Sequence, residues 1–174
     1  SAAFLVAMSD QDAATELINM DSEPIAKQIW NNPEFKEKQA AIISILADRL
    51  DKNCGIESLQ YILNYKLGKD IPKEELERAM VKEMAKEGDL SRLNGTLPVV
   101  SIGDIEDVAM AKEYGLVLDT ILTDINGLRE VSTEPVIVTR DSDSAVVVKI
   151  DDNVFISDKG KEKVLSLKEF QARF

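Results

Sequence analysis

The sequence predicts an α+β fold, with a helical N-terminal half of five or six short to medium helices and a C-terminal unit built on a small antiparallel β-meander. Up to residue 95, apolar side chains recur at three- and four-residue steps between capping and stopping residues, which is the helical period. From 134 to 167, β-branched residues dominate and short polar clusters interrupt them, the pattern of consecutive hairpins. Strands joined so tightly run antiparallel. The polar stretch 89–95, which contains Asn94-Gly95, marks the break between a helical domain at 1–95 and an α+β unit at 96–174.

Residues 2–8 are apolar, too short to cross a bilayer and without the basic flank of a secretory signal, so they read as the first turns of a buried helix. Ser1 in place of Met reads as a trimmed chain. Ser9 caps the next helix, with Asp10 and Asp12 in the first turn where the helix dipole favours acid. Ser22 caps a short helix with Pro24 in its first turn, carrying Ile25, Ile29 and Trp30. Asn32-Pro33 is the strongest helix start in the chain. About five turns follow, with Phe35, Ile42, Ile45, Leu46 and Leu50 on one stripe. Asn53-Cys54-Gly55 is expected to end that helix, with Gly55 in a left-handed C-terminal position. The helix 56–67 then buries Ile56, Leu59, Ile62 and Leu63 and closes at Gly68. Pro72 opens a heavily charged helix with the narrow stripe Leu76, Met80 and Met84, which Gly88 ends.

Beyond the break, 97–102 is strand-like and 104–114 is a helix ending at Gly115. The run 116–125 fits a helix by the spacing of its apolar residues, although its β-branched content also allows a strand. The meander is expected as strands 136–140, 145–150, 154–157 and 164–167, with turns rich in Asp at 141–144, 151–153 and 158–161. A short helix over 168–174 would set Phe170 and Phe174 one turn apart.

Composition narrows the chemistry. The 174 residues include no histidine, one cysteine and a net charge of -11. Missing histidine removes the usual general base, the Ser-His and Cys-His arrangements and most transition-metal sites. Cys54 alone makes an intramolecular disulfide impossible. The net charge argues against direct binding to a phosphate backbone, which needs clustered cations. That charge is uneven: residues 104–158 hold 13 acids against 4 bases, and 159–174 hold 5 bases against 2 acids.

No motif specifies a reaction. Asp141, Asp143, Asp151, Asp152 and Asp158 could offer oxygen ligands to Ca²⁺ or Mg²⁺, but the spacing is not that of an EF-hand and hairpin turns take aspartate for their own reasons. The acid pairs Glu74/Glu75 and Asp104/Asp107 sit where helix N-termini attract acid. Glycine-rich phosphate loops are absent. Trp30, Phe35, Tyr61 and Tyr65 are core residues or, less simply, interface anchors.

The leading functional expectation is a non-enzymatic protein–protein interaction protein, a structural or assembly subunit such as a component of a phage particle. It would work without a cofactor, against another protein or a second copy of itself, away from membranes and in the cytoplasm. Its expected contact residues are Leu76, Met80 and Met84 on the charged helix, and Asp141, Asp143, Asp151 and Asp152 in the turns. The alternatives are an acidic inhibitor or regulator of a basic partner and a Mg²⁺-dependent enzyme working through carboxylates.

Overall fold

A computed structural model describes residues 2–95 and 98–174. Nine α-helices are found among the described residues, most of them in the N-terminal half, and four strands near the C-terminus form one antiparallel sheet. In chain order they are α1 (Ala2–Val6), α2 (Asp10–Ile18), α3 (Glu23–Trp30), α4 (Lys36–Ala47), α5 (Cys54–Leu67), α6 (Lys73–Lys86), α7 (Ile102–Met110) and α8 (Ile125–Val131). The strands β1 (Val136–Arg140), β2 (Asp143–Ile150), β3 (Asn153–Asp158) and β4 (Lys161–Ser166) follow, and α9 (Leu167–Arg173) ends the chain.

Packing divides the chain into two compact units, Ser1–Asp51 with Glu74–Val99, and Lys52–Lys73 with Val100–Phe174. The third crossing between the units, after Val99, lies close to the polar stretch 89–95, and α5 is grouped with the sheet.

In the first unit, side-chain caps start the helices as their residue types dictate. The Ser9 hydroxyl accepts from the Asp12 amide at 3.2 Å, and Asn32 Oδ1 accepts from the Glu34 amide at 2.9 Å. Asn32-Pro33 opens a 3₁₀ turn (Pro33–Phe35) that runs into α4 and on to a second such turn ending at Leu50. Phe35, Ile42, Leu46 and Leu50 are buried, as the stripe requires. Trp30 packs edge-on against Phe35 with ring centroids 5.7 Å apart, so both aromatics belong to the core. Gly88 has φ +75° and lets the chain turn against the backbone of α3.

The second unit is organised on the sheet, whose strands pair in the order β1-β2-β3-β4. Ala145, Val147, Val154 and Ile156 point to one face, where Leu128 of α8 and Phe170 of α9 close a core. Val146, between Ala145 and Val147, is buried on the other face, and its ladder partner Ser157 lies beside Gln60 and Tyr61 of α5. The β3–β4 hairpin turns on Lys159 and Gly160, both at positive φ, as a two-residue primed turn demands.

Four expectations are corrected. Asn53 does not end a helix; it caps α5, its Oδ1 accepting from the amides of Gly55 (2.9 Å) and Ile56 (3.4 Å), while Lys52 holds the left-handed position at φ 65°. Gly55 serves the cap instead, because a Cβ there would press on Asn53 Oδ1 at 3.1 Å. Asn53→Ala should therefore cost about 1 kcal/mol, read as a lowered urea midpoint at unchanged slope. Of the expected strand 97–102, Leu97 lies outside the described residues; 98–101 is not a strand, and Ile102 opens α7 through a Ser101–Asp104 capping box. The helix expected to run through 114 stops at Met110, where the chain turns toward Gly115 at φ 62°. Residues 116–124 are neither helix nor strand, and α8 begins only at Ile125, capped by Asp124. The apolar spacing in this run was a helical pattern without a partner for its stripe, and Val117, Ile121 and Leu122 are exposed.

Candidate functional site

The expected contact residues fall in different environments. Leu76, Met80 and Met84 are fully buried, so the narrow stripe of α6 is core and its charged faces are what remain outside. Asp141 sits exposed in the β1–β2 turn at φ 55°, while Asp151 and Asp152 are exposed after β2, at its opposite end. These acids form no common patch. Asp151 Oδ1 accepts from the Asn153 amide at 3.0 Å, and that bond, ahead of the neighbouring Lys149, holds its carboxyl below the ordinary aspartate range.

Asp143 belongs to an ion-pair network with Asp158, Lys163 and Arg173. The Arg173 guanidinium forks onto Asp143 (Nε to Oδ2 2.7 Å, Nη2 to Oδ1 2.9 Å) and also donates through Nη1 to Asp158 Oδ2 at 2.9 Å. Lys163 Nζ donates to the same Asp158 oxygen at 2.8 Å. Asp158 is buried, and the hydrogen bond from Arg173, followed by that from Lys163, lowers its pKa to about 2. Arg173 likewise draws Asp143 below the ordinary range. The acidic run and the basic tail of the sequence thus neutralise each other here, fastening α9 to the sheet. Both cations bond Asp158 through Oδ2, and the buried Oδ1 of the same carboxylate has no hydrogen-bond partner among the described residues.

A cleft of about 240 Å³ between α5 and β3 is lined by Glu57, Gln60, Asn64 and Ser157. Glu57 pairs through Oε1 with Lys73 at 3.0 Å, its buried Oε2 having no hydrogen-bond partner among the described residues, while Gln60 donates to the Ile71 carbonyl at 2.8 Å and Asn64 Oδ1 accepts from the Ile71 amide at 2.8 Å. Cys54 places its sulfur 3.5 Å from the Ser142 carbonyl, a structural contact. Among the described residues, no three acidic or cysteine side chains are grouped to hold a metal ion.

The larger feature of this unit is a groove of about 830 Å³ whose walls are mostly apolar. One wall is residues 118–125 and the other is residues 135–139, both as unbroken runs. A sheet face would contribute alternate residues to a groove, so a consecutive run from β1 means that the groove lies along the edge of the strand. Ile62, Ile105, Leu128 and Phe174 also line it. Carboxylates of Glu106, Asp119, Asp124 and Glu134 are spaced around it, with Lys66 as the cation, paired to Glu134.

No protein-family model, curated protein or solved structure matches the chain. The site therefore stands on its own geometry. Sequence reasoning missed it because its walls are an irregular segment and a strand edge, and neither has a periodic signature. The one signal available was the apolar run 116–125 with conflicting helical and strand character.

Proposed function

We propose that the chain is a non-enzymatic interaction protein, a structural or assembly subunit, that engages its partner protein through the groove of the sheet-containing unit. The observation that supports this reading is the exposure of Ile121 (59%) and Leu122 (103%) on the segment that forms one wall. Leaving two large aliphatic side chains in water beside an apolar groove forfeits burial worth about 1.5–3 kcal/mol per side chain, and contiguous apolar surface of this kind marks contact sites. A cytoplasmic setting goes with the reading, and no described helix is long and apolar enough to cross a membrane.

Leu122→Asp tests it. Leu122 makes no buried contact, so the variant should unfold at the wild-type urea midpoint. Immobilised wild-type chain should retain a stoichiometric partner protein, or a second copy of itself, from extract of its native source, and Leu122→Asp should lose at least tenfold of it. Equal retention by the two chains would refute the role of the groove.

A further inference from the structure

The two edges of the sheet differ in a way that bears on what the groove accepts. An exposed strand edge is a template for another strand, and proteins blunt such edges with charge, above all with lysine. On β4 the residues Lys161, Glu162 and Lys163 are exposed, and this edge is protected in that manner. On β1 the sequence is Val136, Ile137, Val138 and Thr139, with no charge before Arg140. Among the described residues no strand pairs with its outer side, and that side opens into the groove. An antiparallel strand directs about half of its N–H and C=O groups away from its one neighbour, so β1 presents hydrogen-bonding groups to an apolar trough.

Resting on the reading of the groove as the interaction site, we propose that it binds an extended segment of a partner protein, added to the sheet as a fifth strand antiparallel or parallel to β1, with alternating apolar side chains and basic flanks. Strand addition fixes the backbone through β1. The apolar alternation fits because side chains of an added strand point alternately to the two faces of the sheet, one carrying Leu128 and Phe174 and the other Ile62 of α5, all of which line the groove. Basic flanks follow from the acids round the groove: among the described residues lining it, Glu106, Asp119 and Asp124 are met by no lysine or arginine but Lys66, which Glu134 already engages. An acidic or a strongly helical segment would meet repulsion in the first case and unmatched edge groups in the second.

The test uses the full chain and three synthetic nonapeptides followed by fluorescence anisotropy: Lys-Lys-Val-Thr-Val-Thr-Val-Lys-Lys, the same peptide with alternate backbone amides N-methylated, and the same core flanked by glutamates. The lysine-flanked peptide should bind and should raise hydrogen-exchange protection over residues 136–140. N-methylation should weaken it at least tenfold by removing the donors to β1, and the glutamate flanks should do so through charge. Raising the salt should narrow the second difference and leave the first. Failure of the lysine-flanked peptide to bind, or equal binding by all three, would overturn strand addition. Equal binding of the lysine- and glutamate-flanked peptides would overturn the basic flanks. These outcomes are separate from the reading of the groove itself, which falls only if Leu122→Asp leaves retention of the native partner unchanged.

Discussion

Arg173→Ala should lower the free energy of unfolding by about 3 kcal/mol, because it leaves the buried Asp158 carboxylate with one cation in place of two and strips Asp143 of its forked partner. Removing one member of a buried pair costs more than the pair contributes, since the remaining charge stays out of water. Lys163 limits the loss: its Nζ lies 2.8 Å from Asp158 and its side chain is half exposed, so it can follow the carboxylate. Detachment of α9 adds to the loss, as Phe170 and Phe174, whose rings lie 5.3 Å apart, are held to the sheet core by the same helix. Urea unfolding at pH 7 measures the effect. A change under 1 kcal/mol would mean that the network is solvated more than its geometry implies.

The same variant should alter the acid limb of stability. In the folded chain the pKa of Asp158 is about 2, below its ordinary value of 3.8. A depressed carboxyl contributes stability that is present above the unfolded pKa and lost as pH falls through the folded one. Wild type should therefore weaken between about pH 4 and pH 2, Asp158 accounting for about 2 kcal/mol of that loss at about 1.4 kcal/mol for each tenfold in proton affinity. Asp143 changes in the same direction. Arg173 is raised further above an already high value and stays charged throughout, so it adds no pH dependence in this window. In Arg173→Ala the loss between pH 4 and pH 2 should be much shallower, and the two proteins should approach one another at low pH.

What the sequence made legible is what local chemistry decides. Ser9, Ser22 and Asn32 cap helices because a short oxygen-bearing side chain can reach amides two or three residues on, and each does so here. The meander was legible because short polar residues and glycine suit tight turns, and Asp141 and Gly160 take the left-handed positions of two of them. Asn53 failed as a stop signal because Asn suits either end of a helix, and which end it serves depends on the conformation of Lys52. Leu76, Met80 and Met84 look the same in sequence whether a stripe docks inside its own chain or against another. The groove was illegible for a related reason: residues 118–125 and β1 line it together, and no spacing along the chain encodes that juxtaposition.

Gly88→Ala should destabilise the chain by about 3 kcal/mol or more, among the largest effects available to one methyl group. Two costs combine. The φ of +75° is left-handed, where a Cβ costs about 1–2 kcal/mol. The added carbon would also overlap the Glu23 carbonyl oxygen, stand 2.8 Å from the Lys27 amide nitrogen and touch Lys27 Cβ at 3.0 Å. Two of those three atoms are backbone of α3 and cannot swing aside as a side-chain tip would. Gly68 separates the two costs, since its φ of +61° is equally left-handed but a Cβ there meets nothing within 4 Å. Gly68→Ala should show only the conformational part, about 1 kcal/mol. The difference between the two alanine variants in urea midpoint, at equal slope, then measures the close approach of the turn after α6 to α3. Equal losses at the two positions would mean that α3 shifts to admit the methyl, and that the contact beneath Gly88 is softer than a backbone-to-backbone packing should be.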